Sequence, residues 1–375
     1  MKKKIWMMLL CGALVCFPLG GCGINRADAD TGSVQSEAAS DHKTTKNSNA
    51  EYTSEVFAMD TYMTLTAYGE NAKEAVEAGI AEIQRLDALL STGDANSEVA
   101  QINQNGGGTL SEDTDYLVKR ALAIYQSTQG AFDISIYPVM QLWGFTTGDF
   151  AVPSKEDLAA KLALVNAGRI SLTEDNGVSS ITLPEGMEID LGGIAKGYTS
   201  GRVMEVMKRY GIESAVINLG GNAHVLGSKP DGSAWKVGIQ DPNDTNGYLG
   251  GVSVRDKAII TSGGYERYFV DEATGVKYHH IIDPKTGYSA NNGLISVTIV
   301  SADSTLADGL STSLFVLGTE DAIAYCEEHC AEDGFDAIME DEDGKLYITD
   351  GIMDDFINMN NTCLLYTSPS PRDCS

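Results

Sequence analysis

The chain has 375 residues, and 53 Asp and Glu against 26 Lys and Arg give it a formal net charge of −27 at pH 7. So acidic a chain argues against nucleic acid and anionic membrane surfaces as partners. An anionic substrate would also be repelled unless a cation or oriented backbone amides meet it, so a phosphate-handling site here is expected to be metal-assisted.

The N-terminus reads as an export signal. Lys2, Lys3 and Lys4 precede an apolar run from Ile5 to Leu19, too short for a stable membrane span. The run closes on Leu19-Gly20-Gly21-Cys22, which resembles a bacterial lipobox, with residues 1–21 removed and Cys22 left as the lipid-carrying first residue. Several acyl chains on one cysteine make a durable tether where a single chain does not. The expected location is the extracytoplasmic face of the cell membrane. Residues 23–50 are rich in Ser, Thr, Asn, Asp and Ala, cannot bury a core, and read as a flexible spacer. At the other end, residues 363–375 look like translated sequencing-adaptor sequence and are set apart from the fold. The remaining segment, about 310 residues over 51–362, suffices for one large domain or two intimately packed subdomains.

Within that segment Glu55–Tyr68 alternates and predicts a strand, while Val76, Ile80, Ile83, Leu86 and Leu90 predict a helix over 71–90. Ser111 is placed to cap a helix reaching Thr128, and Ser154 another reaching about Val165. Asp175-Asn176-Gly177 signals a hairpin. A helix at 195–210, short strands over 214–301, a helix pair over 303–330 and a hairpin about Asp343-Gly344 complete the pattern. Strands and helices mix without regular βαβ alternation, so the expected class is α+β, with mixed sheets flanked by helices.

Cysteine usage adds little chemistry. Cys11 and Cys16 lie in the signal, Cys22 is the lipid site, and Cys363 and Cys374 lie in the tail. Cys326 and Cys330 share a helix face with His329 between them; with no second Cys/His cluster nearby they read as buried thiols.

The chemistry is carried by polar patches. Lys277–Gly287 is a strand-like run ending in His279 and His280, then a turn through Asp283-Pro284-Lys285-Thr286-Gly287. A rigid turn bearing imidazole and carboxylate suits holding a polyanion and moving a proton. Asp190-Leu191-Gly192-Gly193-Ile194-Ala195-Lys196 joins a strand to a helix. Its glycines let backbone amides approach a phosphate, Lys196 can reach the same anion, and Asp190 can accept from a ribose or ring nitrogen. The spacing matches neither the dinucleotide fingerprint nor the P-loop. In Asn218-Leu219-Gly220-Gly221-Asn222 the glycines bring backbone close either to a ligand or to a neighbouring strand. Ala131-Phe132-Asp133 lies in a turn suited to line a pocket, while Trp143 and Phe145 read as core. Asp308 and Thr312 are four apart at the start of an apolar helix, hence on one face. A carboxylate and a hydroxyl there suit Mg2+, which takes few protein ligands; the competing reading is an N-cap Asp with a Thr bonded back to the helix.

Read together, these patches resemble the FAD:protein FMN transferase (ApbE) family. The matching blocks are Met59-Asp60-Thr61-Tyr62, Thr128–Asp133 with Pro138 and Trp143-Gly144-Phe145, Asp190–Tyr198, and Asn218–Asn222. They continue with Gln240-Asp241-Pro242, Thr261-Ser262-Gly263, His279–Gly287 and Ala307–Thr312, spanning about residues 52–350. The resemblance implies a Mg2+-dependent enzyme that cleaves FAD at its pyrophosphate. FMN passes through a phosphoester to a threonine of an exported flavoprotein, and AMP leaves. It implies Asp308, Thr312 and the Gly193 carbonyl as metal ligands. Met59, Ala131, Phe132, Asp133, Asp190, Lys196 and the backbone near Ile282 are implied as the FAD site, and His280 as general base. Family members are typically exported and often lipid-anchored, which agrees with Cys22. One departure stands out: many members carry a Tyr that stacks on the flavin where this chain has Ser91-Thr92-Gly93. The alternatives are a Mg2+-dependent FAD pyrophosphatase and a lipoprotein that only stores or delivers FAD. A carrier needs neither Asp308 with Thr312 nor His280.

Overall fold

The computed structural model describes residues 50–244, 246–359 and 364–366. The signal, Cys22, most of the spacer, Cys363 and most of the tail lie outside them.

The run predicted as one strand is a hairpin of β1 (Glu51–Ala58) and β2 (Thr61–Tyr68). Its turn is Met59 and Asp60, with φ of 48° and 60°, values that side chains rarely adopt. Asp87 accepts the Met59 N–H at 3.1 Å and ties the turn to α1 (Ala72–Leu90). α1 buries Val76 and Ile83 against Met63 and Leu65 of β2.

The sequence pattern did not mark α2 (Glu98–Asn105), a short helix capped by Ser97 and followed by β3 (Gly107–Thr109). α3 (Glu112–Ser127) starts where Ser111 accepts the Thr114 N–H, as predicted. α4 (Tyr137–Trp143), also unforeseen, carries Pro138 in its first turn, where a missing N–H costs nothing. α5 (Lys155–Leu162) is capped by Ser154 as expected. β4 (Ser171–Asp175) and β5 (Val178–Thr182) close over Asn176-Gly177, both at positive φ, and form a small sheet with β3.

Next come α6 (Gly192–Arg209), then β6 (Ser214–Leu219) and β7 (Asn222–Gly227), paired through the Gly220-Gly221 turn. They are followed by β8 (Trp235–Gln240), β9 (Tyr248–Val254), β10 (Ala258–Gly263), β11 (Tyr268–Val270), β12 (Lys277–His279) and β13 (Leu294–Ser301). The helix pair is α7 (Ser304–Leu317) and α8 (Thr319–Asp333). The remaining described strands are β14 (Phe335–Asp341), β15 (Leu346–Ile348), β16 (Phe356–Asn358) and β17 (Leu364–Tyr366).

The main sheet runs β1-β2-β6-β7-β10-β13-β14-β15-β17, antiparallel except for the β15–β17 pair, so Leu364–Tyr366, set apart from the fold on sequence, forms its edge strand. Helices α1, α6 and α7 cover one face. A sheet of β16, β9 and β8 covers part of the other, packing Val237 and Val252 on Val225 and Val300. The class is α+β, as expected. Trp143 and Phe145 are fully buried, and Cys326 is a buried free thiol on α8.

One contact sets the site. α6 and α7 meet at Gly197, where a Cβ would lie 2.2 Å from the Ser304 carbonyl oxygen and 2.6 Å from Asp308 Cβ. Only glycine lets the two helices come this close.

Candidate active site

The helix crossing brings Asp308 against the first turns of α6. Its Oδ2 accepts the Gly197 N–H at 2.7 Å, and its Oδ1 accepts the Asn222 side-chain amide at 3.3 Å. Gly193 lies one turn before Gly197, in the first turn of α6. Asp308 is only 4% exposed, and its hydrogen-bond donors are neutral. Burial pushes its carboxyl above the usual range, with the Lys196 charge and the Gly197 amide opposing. A buried carboxylate in this state is costly unless a cation joins it.

Half-buried Thr312 lies one turn further along, its Oγ1 3.3 Å from Ser262 Oγ. The competing helix-cap reading fails, because Asp303 is the N-cap of α7, accepting the Leu306 N–H at 3.0 Å. Ser311 is the hydroxyl that bonds back to the Asp308 carbonyl, at 2.8 Å. Among the described residues no three Asp, Glu, His or Cys side chains gather as a metal cage. The corner offers one carboxylate, one hydroxyl and one carbonyl, a hard-oxygen set that fits Mg2+ and leaves positions for water and phosphate.

Lys196 ties the rest together. Its charge acts on Asp190, Glu266, Asp308 and His280. Asp190 accepts the Gly192 N–H at 2.7 Å and donates its own N–H to Ile134, joining the start of α6 to the 131–136 turn. Burial raises its pKa, with the Gly192 amide and Lys196 opposing. Phe132 and Ala131 are buried, and Gly193 rests on the Phe132 ring, 3.0 Å from where its Cβ would be. Asp133 turns inward: it accepts from the Ser135 amide and hydroxyl and from the Ala167 amide. It therefore anchors the wall on which Phe132 sits, and its oxygens are already engaged.

The Met59–Asp60 turn forms another wall. Thr199 of α6 donates to Met59 Sδ at 3.7 Å, and Asp190 feels the Asp60 charge. Of the two readings left open for the 218–222 glycines, the neighbouring strand explains Gly220, where a Cβ would lie 2.5 Å from Thr61 Oγ1. Gly221 instead faces Glu266 Oε1, at 3.9 Å.

His280 is oriented by Arg267. Its N–H and its Nδ1 lie 3.1 and 3.2 Å from the Arg267 carbonyl. A carbonyl only accepts, so Nδ1 carries the proton and Nε2 presents a lone pair. Burial pushes the imidazole down to about 3, with the Arg267 charge adding, so it is neutral at pH 7. Asp283, its neighbour in sequence, plays no such part. It caps its own turn, accepting the Lys285 N–H at 2.8 Å, while its carbonyl accepts from Thr286 and Gly287. His279 donates from Nε2 to the Ala290 carbonyl and packs edge-on against Phe315. Ile282 is buried and bridged to Ser289, and the Trp143 indole holds the Gly287 carbonyl at 2.8 Å.

Sequence reasoning missed Glu266 and Arg267. Their only local signal is that they follow the Thr261-Ser262-Gly263 block. Glu266 is open to the cleft yet surrounded by protein, and that burial pushes its carboxyl up to about 7, Lys196 opposing and Asp308 adding. A cavity of about 600 Å³ lined by Ala131, Asp283, Lys285, Asn292 and Val316 lies alongside, within the range of ligand pockets. Asp308, Thr312 and Val316 repeat every four residues, so one stripe of α7 runs from the carboxylate to this cavity.

Residues 59–339 match the ApbE family. The chain belongs to that family. It is 38% identical over 246 residues to an FAD:protein FMN transferase of Klebsiella pneumoniae, covering 64% of this chain and 75% of that protein. With one of Treponema pallidum the identity is 32% over 324 residues, 81% and 88% of the two chains. The ApbE protein of Thermotoga maritima superposes with a TM-score of 0.74 at 32% identity, covering 80% of this chain and 98% of that one. The flavin transferase ApbE of Vibrio cholerae gives 0.69 at 29%, covering 80% and 97%. At Gly93, the departure from the resemblance noted above, a Cβ would meet only Ser91 Oγ at 3.8 Å.

Proposed function

We propose that the chain transfers FMN from FAD to a threonine hydroxyl of an exported flavoprotein, with Mg2+ held by Asp308, Thr312 and the Gly193 carbonyl. The hydroxyl oxygen bonds to the FMN phosphorus, the phosphoanhydride P–O bond breaks, and its electron pair leaves with AMP. The observation that carries this reading is Asp308, a buried carboxylate with neutral donors facing the glycine-rich start of α6. The naming of both relatives as FAD:protein FMN transferases supports it.

When bound, the ion supplies Lewis-acid neutralisation of diphosphate oxygens. Lys196 and the α6 N-terminus meet the same phosphates. His280 takes the hydroxyl proton at Nε2, and diphosphate charge beside it raises its basicity. Positioning of the two reacting oxygens does most of the remaining work. We further propose that lipid on Cys22 holds the domain at the extracytoplasmic face of the membrane, where an exported acceptor is met.

The test is incubation of the protein with FAD, Mg2+ and a peptide bearing Asp-Gly-x-Ser/Thr-Gly-Ala-Thr. The expected product is a covalently yellow peptide with one AMP per flavin attached. AMP with free FMN would instead make the chain a pyrophosphatase, and intact bound FAD would make it a carrier.

A further inference from the structure

The cleft holds one carboxylate that the reading above leaves without a task. Glu266 lies in the loop between β10 and β11, beside the Gly221 turn. More than a third of its surface is open, and its Oε1 lies 3.9 Å from where a Cβ on Gly221 would sit. The residue after that glycine, Asn222, donates its side-chain amide to Asp308 Oδ1 at 3.3 Å, so one turn joins the two carboxylates. Among the described residues no cation lies within ion-pair distance of it. The loop itself is anchored: the next residue, Arg267, donates to the Phe145 carbonyl and supplies the acceptor that fixes His280. Two carboxylates joined by one turn repel each other, and a divalent ion held at Asp308 would make both favourable. Small hard ions keep several waters, and groups behind those waters orient them.

We propose that Glu266 is a positioning residue for the metal, accepting a hydrogen bond from water on the ion that Asp308 holds and so setting how that ion faces the diphosphate. The inference rests on the metal assignment above. Its probe is Mn2+, titrated into the full-length protein without FAD and followed by electron paramagnetic resonance. Glu266→Gln is expected to weaken Mn2+ binding about 10-fold, and Glu266→Asp, which keeps the charge one methylene further back, to lie between Gln and the unchanged protein. FAD affinity without metal, read from flavin fluorescence, stays equal or tightens as one negative charge leaves the cleft.

Mn2+ affinity within about twofold of the unchanged protein in Glu266→Gln overturns the proposal. So does an equal loss in Gln and Asp, which marks a packing role, or a parallel loss of FAD binding. If Asp308→Asn binds Mn2+ as tightly as the unchanged protein, the metal assignment itself fails and this inference with it.

Discussion

Ser200 and His224 show how a side chain behind the site serves the fold. The Ser200 hydroxyl donates to the Gly197 carbonyl at 2.8 Å and therefore accepts from His224 Nδ1–H at 3.0 Å. Ser304 donates to the same carbonyl at 2.6 Å. His224 is buried, and burial lowers its pKa to about 4, with Lys208 adding and Asp256 opposing. Its folded pKa thus lies below the unfolded value of about 6.5. The stability it contributes is fully present above that unfolded value and is lost as pH falls from there toward 4, on the order of 3 kcal/mol. His224→Asn keeps a donor for Ser200 but cannot take up a proton. Urea unfolding at pH 7 and pH 4 should show a smaller loss of stability in the variant; an equal loss would contradict the assignment.

Among the elements, the 279–287 turn depends most on a distant partner. α4 puts Trp143 beside Tyr278 and Tyr288, at ring distances of 4.8 and 5.5 Å, and its indole N–H donates to Gly287. Trp143→Phe keeps an apolar ring but leaves that buried carbonyl unpaired, costing about 1–3 kcal/mol. Amide exchange at His280 and Gly287 should accelerate and the KM for FAD should rise; unchanged exchange would mean that the turn holds itself. The same contrast between local and distant causes explains what the sequence made legible. Ser111, Ser154 and Asn176-Gly177 act on residues two or three away, so their elements were readable. The Met59–Asp60 turn has no glycine and is held by Asp87 across 28 residues, so the alternation of β1 runs unbroken into β2. Asp308 and Thr312 were placed on one helix face by their spacing, and both lie on α7. Glu266 and Arg267 gain their roles only when the β10–β11 loop folds beside α6 and β12. Asp133 and Asp283 engage their side-chain oxygens with nearby backbone and hydroxyl groups, partners that the sequence pattern does not mark.

For the whole molecule the governing quantity is charge. In a chain at −27, the Lys196 charge acts on three carboxyl groups, Asp190, Glu266 and Asp308. On the proposed reading a flavin dinucleotide brings a further anionic diphosphate into that field, and an added cation would offset it. The place proposed for that cation lies where α6 and α7, stacked on one face of the sheet, touch at Gly197. The most direct measurement is AMP release from FAD as a function of Mg2+ for the unchanged protein and for Asp308→Ala. Mg2+-dependent release is expected in the former and none in the latter, with the variant still folded by circular dichroism. Full activity of Asp308→Ala with Mg2+ as the sole metal would contradict it.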